Sequence, residues 1–231
     1  MCNISCIIFG AVNILREEIS GKSVLDVGSY NYNGNFHDFL KYYKPKKFIG
    51  TDMIPGPGVD VVCKGEDILT RFGPNSFDVV LSSELMEHAR NWREIISNIK
   101  NVCKPGGLIV ITTRSFGFGL HAYPYDYWRY EEDDMRRIFS DCSILALAKD
   151  PIAPGVFIKV QKPLNFKEND LSNIELYSMV HQRRIRNLDP EKEKRFLSKY
   201  NRRKRIVAMK DAFDRKVATL LHKLARFDSK V

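Results

Sequence analysis

The stretch from Ser23 to Asn35, SVLDVGSYNYNGN, constrains the fold more than any other part of the chain. A short apolar run carries an acid, Asp26, near its end and then breaks into a loop containing Gly28 and Gly34. A helical pattern follows the loop. Strand–turn–helix units of this kind build open α/β sheets, in which ligands bind at the carboxyl ends of the strands. The stretch therefore predicts a ligand site at this turn.

The rest of the first 163 residues alternates between strand and helix patterns. After the opening strand, predicted strands are Lys47–Asp52, Val59–Cys63, Phe77–Ser82, Leu108–Thr112, Cys142–Ala148 and Gly155–Gln161, and predicted helices are 5–19, Asn91–Cys103 and Glu131–Phe139. This order, ending in a hairpin, predicts an α/β fold with a mostly parallel sheet and one antiparallel strand.

One link in this pattern is too short for the usual connection. Parallel neighbours need a crossover of a dozen or more residues, usually a helix. Met53–Gly58 has six residues and two Pro-Gly pairs, which are typical of turns. Either the crossover helix is missing, or Val59–Cys63 pairs irregularly.

Charge divides the chain into two parts. Residues 1–163 hold 19 basic and 19 acidic side chains, whereas residues 164–231 hold 18 basic and 9 acidic ones and account for the whole formal charge of +9. A neutral body followed by a basic tail predicts a domain over 1–163 and a helical, basic C-terminal extension over 164–231.

The tail is predicted to be helical. Asp189-Pro190-Glu191 is a good helix start, and apolar residues then recur at three- to four-residue intervals against a basic face. Asp170–Asn187 is predicted to be a shorter helix. Three roles stay open for the extension: packing on the domain or on a second subunit as a homodimer, lying on an anionic membrane surface, or binding RNA, which the shortage of interleaved aromatics disfavours.

Composition narrows the remaining classes. The five cysteines are scattered without C-x-x-C spacing, which predicts reduced thiols, no zinc site and a cytoplasmic location, peripheral to a membrane if the tail binds lipid. No apolar run approaches the roughly 18 residues of a membrane span. The first ten residues lack the features of a signal peptide, so we expect them to begin a helix that packs on the sheet.

Four pieces in fixed order carry a family resemblance. DVGSYNYNG, FIGTDMIPGPGVD, FDVVLSSELMEH and CKPGGLIVITT resemble the class I S-adenosylmethionine (SAM)-dependent methyltransferases, in the group called type 11, over roughly residues 22–162. The resemblance implies a Rossmann-like seven-stranded methyltransferase sheet, mostly parallel with a terminal antiparallel strand, and SAM as the cofactor.

The resemblance also implies ten cofactor-binding residues. A carboxylate suits two neighbouring donors, so Asp52 is expected to accept hydrogen bonds from both ribose hydroxyls. The other nine are Asp26, Gly28, Ser29 and Gly34 around the methionine portion, Met53, Glu66 and Asp67 around the adenine, and Ser83 and Glu84 facing the cofactor after the fourth strand.

The chain departs from the family pattern at three positions. Tyr30 and Tyr32 stand where later glycines of the loop are usual, and Lys64 stands where an acid is usual. The tyrosines either wall the pocket or only pack on the sheet edge. Asp67 either contacts the adenine or only caps a short helix over Ile68–Phe72.

An aromatic stretch, Ser115–Tyr130, follows the fifth strand and has seven aromatic residues in sixteen. Long loops at this position are usually functional. The stretch is similar to an H-x-Y-P-x-D-Y-W-R stretch in methyltransferases of glycosylation clusters, which implies that its aromatics stack on a sugar ring or an aromatic acceptor. His121 is a candidate general base, because a histidine titrates near the working pH, and Asp126 is expected to orient it. The type 11 resemblance implies that His88 lies near the reaction centre. Structural roles are the alternatives. The aromatics would then form a hydrophobic lid, His121 would only hydrogen-bond the backbone, and His88 would only hold the loop after the fourth strand to the following helix.

These observations predict an enzyme that methylates an oxygen of a small molecule or glycan. The motifs of amide, adenine-amino and cytosine-C5 methylation are absent from the sequence. Two alternatives stay open: an RNA methyltransferase guided by the basic tail, and a catalytically inactive interaction protein that keeps the fold.

Overall fold

The computed structural model divides the chain into two compact units, Met1–Asn187 and Leu188–Val231. The described residues are 4–32, 34, 36–121, 126–199, 201–202, 209–212, 214–215 and 217. The predicted body ended at residue 163, so the first unit extends 24 residues further than predicted.

The first unit contains two sheets and several short helices. The strands among the described residues are β1 Ser23–Val27, β2 Lys47–Asp52, β3 Val61–Val62, β4 Phe77–Ser83, β5 Cys103–Arg114, β6 Trp128–Arg129, β7 Ser143–Lys149, β8 Gly155–Gln161, β9 Leu176–Ser178 and β10 Arg183–Ile185. The α-helices of this part are α1 Ile4–Asn13, α2 Arg16–Ile19, α3 His37–Leu40, α4 Ile68–Phe72, α5 Trp92–Val102 and α6 Glu132–Ile138.

The main sheet has seven strands in the order β3-β2-β1-β4-β5-β8-β7. The pairs from β3 to β5 are parallel, and β8 runs antiparallel to both β5 and β7. The predicted α/β class and Rossmann-like sheet are therefore confirmed. The central strands β1 and β4 are mostly buried and rich in apolar residues, as is typical of parallel strands covered on both faces.

The link between β2 and β3 contains no helix. Residues 53–60 connect the two strands, which nevertheless pair in parallel through Thr51 with Val61 and Asp52 with Val62. A Cβ on Gly50 would lie 2.0 Å from the Gly58 carbonyl oxygen, so a glycine is required where the link crosses the strand. Of the two predicted alternatives, the missing crossover helix is the one observed.

The limits of two predicted elements differ from those observed. The single helix expected over 5–19 is two helices, α1 and α2, separated around Ile14 and Leu15. The β5 strand is longer than predicted because Lys104–Gly107, expected only to stop a helix, forms an irregular stretch within the strand. Four cysteines of the described part are free thiols: Cys6, Cys63, Cys103 and Cys142.

A second, three-stranded antiparallel sheet has the order β10-β9-β6. The helix predicted over Asp170–Asn187 is therefore wrong. Leu176 and Ser178 are buried whereas Tyr177 between them is partly exposed, which is the period of two of a strand. Residues 164–187 fold with the body for this reason, and the basic charge there did not mark a domain boundary.

Arg93 on α5 holds the segment that leads into this second sheet. Its guanidinium donates to the carbonyl oxygens of Leu171 (2.8 Å) and Ile174 (2.6 Å). We expect Arg93→Ala to lower the free energy of unfolding by about 2 kcal/mol, because two partly buried carbonyls lose their donor. Urea denaturation measures the change, and Arg136→Ala, at an exposed position of α6, is the matched control. Equal effects of the two substitutions would contradict the anchoring role.

The second unit begins its helix at residue 190, as predicted. The Asp189 carboxylate accepts hydrogen bonds from the backbone N–H groups of Glu191 (2.9 Å) and Lys192 (3.4 Å), which is an N-cap. Much of the apolar pattern predicted beyond residue 199 lies outside the described residues. In the part of the chain that is described, no helix is long and apolar enough to cross a membrane.

Candidate active site

Three neighbouring strands of the main sheet carry polar residues at or next to their carboxyl ends. Asp26 lies in β1, Asp52 ends β2 and Ser83 ends β4, and these strands are adjacent. Ligands of open α/β sheets bind at this edge. The structure therefore brings together the predicted cofactor residues of these strands.

Asp26 is a fully buried carboxylate. Neither of its side-chain oxygens has a partner among the described residues. Burial, followed by the nearby charge of Asp52, raises its pKa to about 7. A buried acid left unpaired in this way fits a cationic ligand group such as the ammonium of SAM.

The loop after β1 brings backbone close to this acid. Gly28 has φ +81°, and a Cβ there would lie 3.0 Å from the Leu85 side chain. Gly34 has φ +105°, and its N–H donates to the Asn31 side chain at 2.7 Å. Both positions therefore favour glycine. The Ser29 hydroxyl donates to the Gly58 carbonyl at 2.7 Å, so it is already used within the loop.

Asp52 is bound by backbone but keeps spare acceptor capacity. Its two oxygens accept from the N–H groups of Ile54 (3.1 Å) and Tyr30 (3.4 Å), and a carboxylate has about four acceptor sites. Met53 next to it is one of the exposed large apolar side chains, with 54% of its surface accessible. Both features leave room for a bound ligand.

The two tyrosines of the loop contact each other, with ring centroids 4.4 Å apart. Tyr30 also covers the β2–β3 link, since a Cβ on Gly56 would lie 2.2 Å from its ring. Tyr32 is exposed. Tyr30 therefore packs on the link at the sheet edge.

Glu66 and Asp67 lie in a 3-10 turn directly after β3. The Asn98 side chain on α5 fixes this turn by donating to the carbonyl oxygens of Gly65 (3.2 Å) and Glu66 (2.6 Å). Asp67 stands at the N-cap position of α4, but its side chain makes no capping hydrogen bond. Both carboxylates are therefore available at this end of the sheet.

Glu84 belongs to a buried ion network with Arg114 and Asp150. Glu84 pairs with Arg114 Nε, and Arg114 Nη1 lies 3.1 Å from Asp150 Oδ2. Helix α1 joins the network through Ser5, which donates to Asp150 (2.6 Å), and Cys6, which donates to Glu84 (3.4 Å). Glu84 also has φ +55°, so its backbone is strained at the end of β4. Ser83 before it is nearly buried.

Glu87 joins the two predicted catalytic histidines. Its Oε2 accepts from the Thr113 hydroxyl at 2.7 Å, and its Oε1 lies 3.6 Å from His88 Nε2 and 3.6 Å from His121 Nε2. The two histidine rings contact edge to face with centroids 4.8 Å apart. Glu87 follows β4 and Thr113 lies in β5, so this cluster sits at the carboxyl ends of both strands.

Asp126 lies on the other side of the His121 ring. The distance between His121 Nδ1 and Asp126 Oδ2 is 3.2 Å, and Arg129 clamps the same carboxylate with two bonds of 2.5 and 2.8 Å. Burial opposes the charged ring, but the neighbouring carboxylates of Asp126 and Glu87 raise the pKa of His121 to about 9. The ring is then protonated at neutral pH, with Nδ1 facing Asp126 and Nε2 facing Glu87.

Much of the aromatic stretch is core rather than lid. Trp128 and Tyr130 are buried and donate to the carbonyl oxygens of Ala89 and Met86, each at 3.0 Å. Phe116 is exposed. Residues 122–125 of the stretch lie outside the described residues.

Sequence reasoning assigned no role to four residues that the structure places around the candidate site: Glu87, Thr113, Arg114 and Arg129. The signal for Glu87 was present in its spacing from Glu84, since the two acids flank the turn after β4. Arg114 follows a run of apolar residues and threonines, where a buried arginine requires acidic partners. Nothing in the sequence names those partners.

Comparison with known proteins decides the family. Residues 9–150 match the family described as methyltransferase domain. The chain belongs to this methyltransferase family. The match confirms the predicted enzyme class, a SAM-dependent methyltransferase, and with it the predicted cofactor.

Solved structures share the fold at low identity. A 1,6-didemethyltoxoflavin-N1-methyltransferase of Burkholderia thailandensis, solved with its substrate and S-adenosylhomocysteine, is 13% identical with a TM-score of 0.52, covering 69% of this methyltransferase and 76% of that chain. Phosphoethanolamine N-methyltransferase 2 of Haemonchus contortus, solved with SAM, is 16% identical with a TM-score of 0.51, covering 69% and 52%.

A curated relative matches over a short stretch only. It is a highly reducing polyketide synthase of Aspergillus luteorubrus, 37% identical over 68 residues. Those residues are 28% of this methyltransferase and 2% of the synthase. The match leaves the acceptor open.

Proposed function

We propose that this methyltransferase transfers the methyl group of SAM to an oxygen of a small molecule or a glycan. The observation that carries the proposal is the buried chain Glu87–His121–Asp126 at the carboxyl ends of β4 and β5. Oriented polar groups at this position suit a hydroxyl acceptor, which has to be positioned and to lose a proton during transfer.

The cofactor is proposed to lie along the edge formed by β1, β2 and β4. Asp26 would accept from its ammonium, Asp52 from its ribose hydroxyls, and Glu66 or Asp67 from its adenine amino group. When bound, SAM supplies an activated methyl group, so the protein has mainly to bind, orient and exclude water. His121, held by Asp126, would orient the acceptor hydroxyl and, in its neutral form, accept the proton that the hydroxyl loses during transfer.

The acceptor class is tested with methyl-labelled SAM. The full chain is incubated with small-molecule, glycan, lipid and RNA fractions, and the product is examined for labelled methyl ethers. Label in the small-molecule or glycan fraction supports the proposal. Label that ribonuclease releases from RNA favours the RNA alternative, and label in lipid overturns the acceptor class. Absence of SAM binding by calorimetry indicates an inactive interaction protein.

Asp52→Ala is expected to weaken SAM binding about ten- to a hundredfold. The loss corresponds to hydrogen bonds between a charged acceptor and two hydroxyls, about 1.5–3 kcal/mol. Isothermal calorimetry measures it, with Asp133→Ala, an exposed acid on α6, as control. Wild-type affinity in Asp52→Ala would show that the ribose lies elsewhere.

A further inference from the structure

Glu87, His88 and His121 form a cluster whose composition is that of a metal site. Each offers one ligand atom, and these atoms all lie within 4.8 Å of one another. Two imidazole nitrogens and one carboxylate oxygen are a common ligand set of catalytic transition-metal ions. Sequence patterns do not predict this cluster, since the three residues come from two separate loops and no cysteine is involved.

The two distances from the Glu87 carboxylate to the histidine rings are close to those expected around a shared ion. Two ligands at about 2.1 Å from a tetrahedral ion lie about 3.4 Å apart. The Glu87 oxygen lies 3.6 Å from each histidine Nε2, slightly beyond hydrogen-bond range. Glu87 is fully buried, and this oxygen has no hydrogen-bond donor among the described residues. A buried carboxylate oxygen between two ring nitrogens is therefore left for a cation.

The surrounding residues orient these ligands as metal sites require. A metal-binding histidine usually gives its other ring N–H to a carboxylate, which fixes the tautomer. His121 Nδ1 faces Asp126 at 3.2 Å, so Nε2 is the nitrogen that points to Glu87. Arg129 locks Asp126 with two bonds, and Thr113 binds the second oxygen of Glu87. Both outer contacts are buried.

We propose that Glu87, His88 and His121 bind one divalent transition-metal ion of the zinc or manganese class. Three protein ligands leave coordination positions open, as in catalytic rather than structural sites. The assignment deepens the proposed function and rests on it in one respect: the open positions would take oxygens of the acceptor. The binding site itself stands on the cluster alone.

The test is calorimetric titration of chelator-treated full chain with Zn²⁺, and separately with Mn²⁺ and Mg²⁺. We expect one Zn²⁺ per chain, weaker Mn²⁺ and much weaker Mg²⁺, because imidazole ligands favour the later transition metals. Glu87→Gln and His88→Asn should each lower Zn²⁺ affinity at least tenfold. Asp126→Asn, which only orients His121, should lower it by about ten- to a hundredfold.

Controls separate this site from adventitious binding. His37→Asn on α3 and Cys63→Ser remove a histidine and a partly exposed thiol elsewhere and should leave the affinity unchanged. Thermal melting checks that each variant folds, and His88, which is less buried than Glu87, keeps the test open if Glu87→Gln does not fold. No saturable binding, or equal affinity in the cluster variants, would mean that the cluster is only an ion pair.

The two proposals fail separately. Zn²⁺ binding without methyl transfer to any oxygen acceptor would leave the metal site standing and remove the proposed function. Methyl-ether formation that persists at full rate in chelator-treated protein would leave the proposed function standing and remove the metal site from it. SAM binding, measured without metal, confirms in each case that the protein is intact.

Discussion

Asp26→Asn is expected to lower SAM affinity by about a hundredfold or more. The substitution keeps the shape of the side chain but removes the buried charge that would face the cofactor ammonium, and breaking a buried ion pair costs about 3–5 kcal/mol. Calorimetric titration at pH 8 measures the loss, with Asp133→Asn as the exposed control. Unchanged affinity would place the ammonium away from β1.

The pH dependence of the same residue gives an independent measurement. Because burial raises the pKa of Asp26 to about 7, the carboxylate forms only as the pH rises through that value. Wild-type SAM affinity should therefore increase by up to about tenfold per pH unit below pH 7 and level off above it. The affinity of Asp26→Asn should lack this dependence.

Stability should change in the opposite direction to affinity. Between pH 4 and 7 the unfolded chain has lost the Asp26 proton whereas the folded, ligand-free protein retains it. The unfolded state then binds fewer protons, so rising pH lowers the free energy of unfolding by up to about 1.4 kcal/mol per unit. This contribution should disappear in Asp26→Asn. Urea denaturation at several pH values tests it.

Arg114→Met is expected to destabilise the fold by about 3–5 kcal/mol. Arg114 is 2% exposed and pairs with both Glu84 and Asp150, so its loss leaves two buried carboxylates without this cation. Methionine retains much of the volume, including the contact with the Phe118 ring, where the guanidinium carbon lies 4.4 Å from the centroid. Urea denaturation at pH 7 measures the loss.

A surface pair provides the control for this substitution. Lys104 and Asp78 are 2.8 Å apart, but their side chains are 40% and 27% exposed. Lys104→Met should cost at most about 1 kcal/mol, because water and salt screen such pairs. A similar cost for both substitutions would mean that the Arg114 network contributes no more than an exposed pair.

The sheet could be predicted because each of its strands carries its own signal. Lys47–Asp52 has the predicted limits, since apolar residues, a glycine and a terminal acid mark both ends. The strands β9 and β10 have three residues each, and β10 reads Arg-Arg-Ile. Segments this short are hard to recognise from sequence alone, and β9 pairs with β6, a partner almost fifty residues away.

The candidate site also contains residues that could be predicted from the sequence and residues that could not. Asp26, Asp52 and Ser83 could be found because each follows from its position at the end of a strand. The ion network around Arg114 could not, since its acids lie 30 and 36 residues from it along the chain, on opposite sides. Sequence patterns predict which residues are buried but leave open which charges meet there.

The contacts of helix α1 limit how far the chain can be truncated. A fragment cut at the limits of the family match, residues 9–150, would lose Ser5 and Cys6, which bind the acids on either side of Arg114. It would also lose β8, the strand between β5 and β7, and leave β7 without its neighbour. The stretch that is shared with relatives is therefore smaller than the stretch that has to fold together.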